Sequence, residues 1–421
     1  MTTDATGLRT GLHRRTALKF GLAAAGAVAS GSRSTRAQTP PEVKIAILVP
    51  LSGPWARAGI LEKLGAEMAV DEVNQAGGIK SLGGAKLKLV EYDTGDSAEK
   101  AKNAAQRLVA QEPDLAGGLG CWLSTFTLAA TEVTERAELP WLTLSYSDLI
   151  TDRGFRFVFQ TSPTGSQQAE ETVPMILALA EKASGKRPTK VAIIDDNTAS
   201  AVSFRKALFD HVFANQKLTV VVDQTFTPPL TDATSLVQAV RSGRPDFVLL
   251  GSTSVPDDKL LLDKFNEFNL GPTRLPLIGN GGHWGAPELL KVSGADNLEG
   301  MMAGLANWPG KDHTALSERF VKRTGEPWFG HDSLFAYAHV MILREAIERA
   351  ASADRRKVAD AIRALDMTDG PALLFPGHQL KFDAKGRRLG AHMVMIQWQS
   401  GRPVSVFPPD FAAAAPRWKS S

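Results

Sequence analysis

Cysteine is nearly absent. Cys121 is the only one in 421 residues, so no intramolecular disulfide can form, and its apolar, glycine-rich neighbours mark a buried structural thiol rather than a nucleophile. Catalytic signatures are missing too: no Gly-x-Ser-x-Gly elbow, His-Glu-x-x-His pair, Cys-x-x-Cys, Walker-type phosphate loop or Gly-x-Gly-x-x-Gly fingerprint occurs. The eight histidines are scattered, none with a second histidine or a cysteine at ligand spacing on a helix. No catalytic residue, metal site or cofactor is therefore expected. Charge of one sign is also lacking. Residues 1–37 carry Arg9, Arg14, Arg15, Lys19, Arg33 and Arg36 against Asp4 alone; without them 48 − 6 = 42 basic side chains face 45 − 1 = 44 acidic ones, a net −2. No excess of basic charge remains to argue for nucleic acid.

Long hydrophobic runs are absent as well. Arg14-Arg15 is followed by Thr16-Ala17-Leu18-Lys19, a mildly apolar Gly/Ala-rich run from Phe20 to Ala29, and a small-residue site at Thr35-Arg36-Ala37. The apolar run is too short to span a bilayer, and the order is that of an export leader. The paired arginines and the glycine-diluted run favour a twin-arginine signal over residues 1–37 and a periplasmic destination.

What is present is a strand-helix alternation, and Val43 to Gly78 sets it. Val43–Val49 is short, apolar and Val/Ile-rich, a buried parallel strand ending at a Pro-Leu-Ser-Gly-Pro turn. From Ile60 the apolar residues Leu61, Leu64, Met68, Ala69 and Val73 take helical spacing, closed by Gly77-Gly78. The pattern recurs through strands near 86–93, 115–121, 141–144 and 155–160, then restarts after a Thr161-Ser162-Pro163-Thr164-Gly165 linker with strands near 190–194, 219–223, 247–250 and 276–278. Two doubly wound, parallel-sheet α/β lobes are the expectation. Met301–Asn307 is read as a passage back to the first lobe, followed by three helices and short strands near 380–382, 392–398 and 404–407.

In such sheets the loops at the carboxyl ends of strands form the rim of a cleft. Here these loops carry hydroxyls (Ser124, Ser145, Ser147, Ser200, Thr253) and aromatic rings (Trp55, Trp122, Tyr146), with Gly281 and His283 in the last of them. Backbone amides and hydroxyls there suit a small carboxylate, and the rings suit its apolar body. Serine and threonine before helices also serve as plain caps, Trp55 could equally pack on the lobe surface, and His283 could be an ordinary surface histidine.

The runs "ILVPLSGPWARAG" and "AVDEVNQAGGI" resemble the opening of the leucine/isoleucine/valine-type periplasmic solute-binding proteins of ABC importers, and "DRGFRFVFQTSPT", "HDSLFAYAHVMILREAIERA" and "FDAKGRRLGAHMVMIQW" resemble their framework. The resemblance covers roughly residues 43 to 410. It implies a type I binding-protein fold with three hinge crossings near Thr161–Gly165, Gly304–Trp308 and Phe382–Gly386, and lobes made of 42–162 with 305–382 and of 163–304 with 383–421. It also implies a monomer that traps a hydrophobic amino acid or a similar small carboxylate and delivers it to a membrane permease. Trp122, Ser145 and Ser147 match the positions that hold ligand carboxylate and ammonium groups; Trp122 stands where a small hydroxyl is usual. Ala58 stands where an aromatic is frequent, and Ser200 and Thr253 where the second lobe commonly offers tyrosines.

Gly281 is the sharpest departure. Members that bind α-amino acids tend to place a glutamate there to neutralise the ammonium group. Either Asp148, Asp257 or Asp332 takes over, or the ligand has no ammonium; with Trp122, Tyr146 and Trp284 nearby, leucine-like and aromatic carboxylates both stay open. A ligand sensor on the same fold and a secreted enzyme are the rival readings.

Overall fold

The computed structural model describes residues 42–418. Its first sheet is built from β1 (Glu42–Val49), β2 (Lys86–Asp93), β3 (Leu115–Gly120), β4 (Trp141–Thr143) and β5 (Val158–Gln160), all parallel, in the order β2-β1-β3-β4-β5. The central strands are buried on both faces, which is why β1 and β3 read as unbroken apolar or small-residue runs. The edge strand β2 leaves its lysines half-buried or exposed while Leu87 points inward.

The second sheet contains β6 (Lys190–Asp196), β7 (Thr219–Phe226), β8 (Phe247–Gly251), β9 (Leu277–Asn280) and β10 (Met302–Leu305), all parallel. In β6 Val191 and Ile193 join one hydrophobic cluster while Ala192 and Ile194 join the other, the period-two signature of a sheet covered on both sides. Two features differ from the sequence expectation. Met302–Leu305 is not only a passage but the fifth parallel strand of this sheet, because its four residues are apolar or small enough to be buried completely. The sheet then continues antiparallel through β13 (Val394–Gln399) and β14 (Arg402–Phe407). Ser400 and Gly401 both have positive φ, the two-residue hairpin turn that forces this reversal. β11 (Asp366–Met367) and β12 (Leu380–Lys381) form a separate small ladder.

The chain passes between the sheets three times: after β5, after β10 and after β12. On the first-sheet side, the helix His331–Ala350 packs along the helix Ala56–Gln75. Gly65 makes this approach possible, since a Cβ there would lie 2.1 Å from the Ser333 carbonyl oxygen. Glu62 is sealed into the same interface, fully buried with neither carboxyl oxygen partnered among the described residues. Burial, reinforced by nearby Asp332, pushes its pKa well above the carboxylate range. Among the described residues no helix is long and apolar enough to cross a membrane.

Candidate functional site

The loop after β3 shapes the first wall. Gly120, with φ 126°, lets β3 end against β1; a Cβ there would sit 2.0 Å from the Leu48 carbonyl oxygen. Trp122 follows at φ 63°, a left-handed conformation that costs a tryptophan on the order of 1 kcal/mol or more. What holds it is tertiary. Its indole Nε1 donates to Asp332 Oδ1 at 2.9 Å, and its ring stands edge-on to His283 with centroids 6.0 Å apart. Ser124 opens the next helix, and its Oγ accepts the backbone N–H groups of Tyr146 (3.0 Å) and Ser147 (3.1 Å), tying the two loops of this wall together.

Tyr146 pairs its hydroxyl with His331 Nε2 at 3.1 Å, while His331 Nδ1 lies 3.0 Å from the Asn307 carbonyl oxygen. Since only an N–H can bond that carbonyl, Nε2 is the unprotonated nitrogen and Tyr146 donates to it. Burial pushes the His331 pKa down to about 3, so the ring is neutral. Burial also pushes Asp332 up, to about 6, against the Trp122 hydrogen bond and the attraction of His283 and Arg57.

The second wall comes from the ends of β6, β8 and β9. Asp196 accepts the Thr198 N–H and hydroxyl (2.9 and 2.7 Å) and the Thr253 hydroxyl (2.6 Å). Asp258 accepts the Ser252 hydroxyl at 2.5 Å and lies 3.3 Å from His283 Nε2 in a close but poorly aligned ion pair. Burial works against the imidazolium, but Asp258, helped by Asp332 and Asp196, outweighs it and holds the His283 pKa above its usual value. Gly281 has φ 120°, and a Cβ there would meet His283 Cε1 at 2.8 Å and Nδ1 at 3.0 Å. Asn280 donates to Gln168 Oε1 at 3.0 Å and keeps its own Oδ1 unpartnered among the described residues.

These walls enclose a cavity lined by Trp122, Ser124 and Tyr146 from one side and by Ser200, Thr253, Gly281 and His283 from the other. Its free volume is about 30 Å³, room for one or two waters and not for an organic solute. Ser147 Oγ meets Ser203 Oγ at 3.0 Å and the Ala199 N–H meets Thr125 Oγ1 at 3.2 Å, so the walls are in contact around it.

Three of the expected site residues lie elsewhere. Ser145 spends its hydroxyl on the Trp122 carbonyl (2.6 Å) and the Thr127 hydroxyl (2.7 Å), and Ser147 spends its own on Ser203. Trp55 packs edge-on against Phe126 with centroids 5.4 Å apart. Of the acids considered for an ammonium group, Asp148 accepts the Ser166 N–H, Asp257 the Leu230 N–H, and Asp332 sits behind Trp122. His331 and Asn280 line the cavity without having been singled out from sequence. Asn280 directly precedes Gly281, and His331 directly precedes Asp332; those were the available signals.

Residues 42–403 match the sequence profile of the periplasmic binding proteins. The chain belongs to that family. This binding protein is 31% identical over 394 residues to a Leu/Ile/Val-binding protein homolog of Brucella melitensis, covering 90% of this chain and 93% of that one. Among solved structures it resembles the branched-chain amino acid transporter substrate-binding protein LivJ of Streptococcus pneumoniae in complex with isoleucine: TM-score 0.72, 20% identity, 86% of this chain and 99% of that one. It also resembles an ABC-transporter solute-binding protein of R. palustris in complex with benzoate: TM-score 0.70, 19% identity, 90% and 98% covered. At these identities the solved structures establish the shared two-lobed type I fold. The family is one of substrate-binding proteins rather than enzymes, exported to the periplasm.

Proposed function

We propose that this protein is the solute-binding component of an ABC importer and closes two lobes on a small carboxylate with an apolar body. Residues 42–162 with 306–382 form the first lobe and 163–305 with 383–418 the second; Leu305, expected at the start of the first lobe's return, pairs with Val394 in the second sheet. The observation that carries the reading is the meeting of two walls, one from each sheet, in a cavity at the carboxyl ends of the strands. A cavity of about 30 Å³ admits no solute, so entry requires the walls to part, and ligand then shifts an open-closed population by its differential affinity. Trp122, Ser124, Tyr146, Ser200, Thr253, Gly281 and His283 are the contacts we assign, and a membrane permease is the partner.

The Leu/Ile/Val-binding relative and the isoleucine complex make hydrophobic amino acids the first class to test. The benzoate complex, together with the rings of Trp122 and Tyr146 in the lining, adds aromatic carboxylates. Calorimetry and thermal melting of the mature protein against both classes are the test. A true ligand at 100 times its Kd adds about 2.7 kcal/mol of stability; no melting shift from any carboxylate would sink the reading. Export through the twin-arginine route is part of the same proposal, although residues 1–37 lie outside the described ones. Arg14→Lys with Arg15→Lys should leave the protein in the cytoplasm, because that route reads guanidinium pairs.

A further inference from the structure

We propose that the cleft selects an anion lacking an ammonium group, such as an aryl or branched alkyl carboxylate, and that His283 is the charged partner of that anion. The inference rests on the carboxylate reading above and goes further by excluding α-amino acids and naming the residue that does so.

None of the fourteen lining residues is Asp, Glu, Lys or Arg. The acids closest to the lining stand behind it, each engaged by a residue that faces the cavity: Asp196 by Thr253, Asp258 by His283, Asp332 by Trp122. An ammonium group brings three N–H donors. Among neutral side-chain acceptors it would find Asn280 Oδ1, but no carboxylate in the lining. A buried ammonium so placed costs several kcal/mol.

An anion fares differently because the two lining histidines are not equivalent. His331 is committed as a neutral ring, Nδ1–H on Asn307 and Nε2 accepting from Tyr146. His283 is flanked by acids from three elements: Asp258 and, next to it, Asp257 on the helix Val255–Glu267, Asp196 at the end of β6, and Asp332 on the helix His331–Ala350; His331 is the one neighbouring base in the lining. Those acids favour the imidazolium. Its Nε2 faces Asp258, and its Nδ1 has no hydrogen-bond partner among the described residues and lies beside Gly281, where the missing side chain leaves the ring its space. A cationic His283 therefore offers one charge-assisted N–H next to the cavity, with Trp122 and Tyr146 in the lining to meet the apolar body.

The test is calorimetry on matched pairs: leucine against 4-methylpentanoate, phenylalanine against 3-phenylpropanoate, with benzoate alongside. Each deaminated acid should bind at least about tenfold more tightly than its amino acid. His283→Gln should weaken acid binding roughly thirtyfold. In the wild type, affinity should fall as pH rises above the ordinary histidine value of about 6.5 and His283 loses its proton; in the variant it should be flat. Tighter binding of leucine or phenylalanine would overturn this inference and leave the solute-binding reading standing. Absence of binding by every carboxylate would overturn both. If His283→Gln does not fold, the wild-type pH profile decides, and a flat profile removes His283 from the role.

Discussion

Asp332 and Asp258 stand on opposite sides of one cavity, and they teach that two buried carboxyls of the same type can carry opposite energetic signs. Asp258 has a hydroxyl and an imidazole as partners. Asp332 has one indole N–H, fully buried surroundings, and Glu62 as a close, equally desolvated neighbour. The first stands beside an imidazole whose pKa it helps to raise. The second is a carboxyl that its surroundings drive toward neutrality, kept in place as the anchor of a strained tryptophan.

The comparison breaks most visibly if both acids are made amides. Lifting the Asp332 carboxyl from its usual 3.8 to about 6 costs on the order of 3 kcal/mol of folding stability at neutral pH. A folded pKa above the unfolded one contributes stability that is fully present below about pH 4 and lost as pH rises through about 6. Asp332→Asn keeps an acceptor for Trp122 and escapes that loss, so it should melt higher than wild type at pH 7.5, with the advantage gone below about pH 4. Asp258→Asn should do the reverse. His283, its pKa raised by Asp258, contributes stability present below about pH 6.5 and lost as pH rises through its folded value. The deficit of Asp258→Asn should therefore be widest below about pH 6.5 and close at high pH. Melting curves across pH check both; the same sign for the two variants would erase the distinction.

Trp122→Ala comes next in size. It removes a ring from the cavity and the only side-chain donor on Asp332 among the described residues. Loss of about 2 kcal/mol in binding, near thirtyfold in Kd, is the expectation for a buried aromatic anchor. An affinity within threefold of wild type, measured by calorimetry, would take Trp122 out of the ligand's environment.

The same contrast shows what sequence could and could not reveal. Parallel strands buried on both faces leave unbroken apolar runs, so β1, β3, β6 and β8 were legible, as was the helix His331–Ala350. The strand character of Met302–Leu305 was not, because four residues beside a hinge look the same whether they pair or merely pass. At the site, the rule that loops at strand ends form the rim located the right loops. Which hydroxyl faces the cavity is a matter of local competition that no spacing encodes. Ser124, Ser145 and Ser147 all lie on the rim. Ser145 and Ser147 are spent on neighbours within 3.0 Å, and Ser124 lines the cavity while accepting two backbone N–H groups. His283 as an ion-pair partner was equally hidden, since Asp258 and Asp332 reach it only through the fold.

The smallest expected effect sharpens the comparison from the other end, with a second tryptophan. Trp55 and Trp122 are both on loops after strands of the first sheet, and both read from sequence as rim aromatics. Trp122 has its N–H on a buried acid; Trp55 rests its ring edge-on against Phe126, and its buried Nε1 finds no partner among the described residues. Trp55→Phe keeps an aromatic ring for Phe126 and deletes a polar atom that was desolvated without compensation. The smaller ring loses some packing, and the removed N–H recovers a comparable amount. Stability should therefore stay within about 1 kcal/mol of wild type. Ligand affinity should stay within twofold, since Trp55 is outside the cavity lining. A tenfold loss of affinity in Trp55→Phe would mean that the ligand reaches past Phe126, and the first wall would have to be redrawn to include the loop after β1.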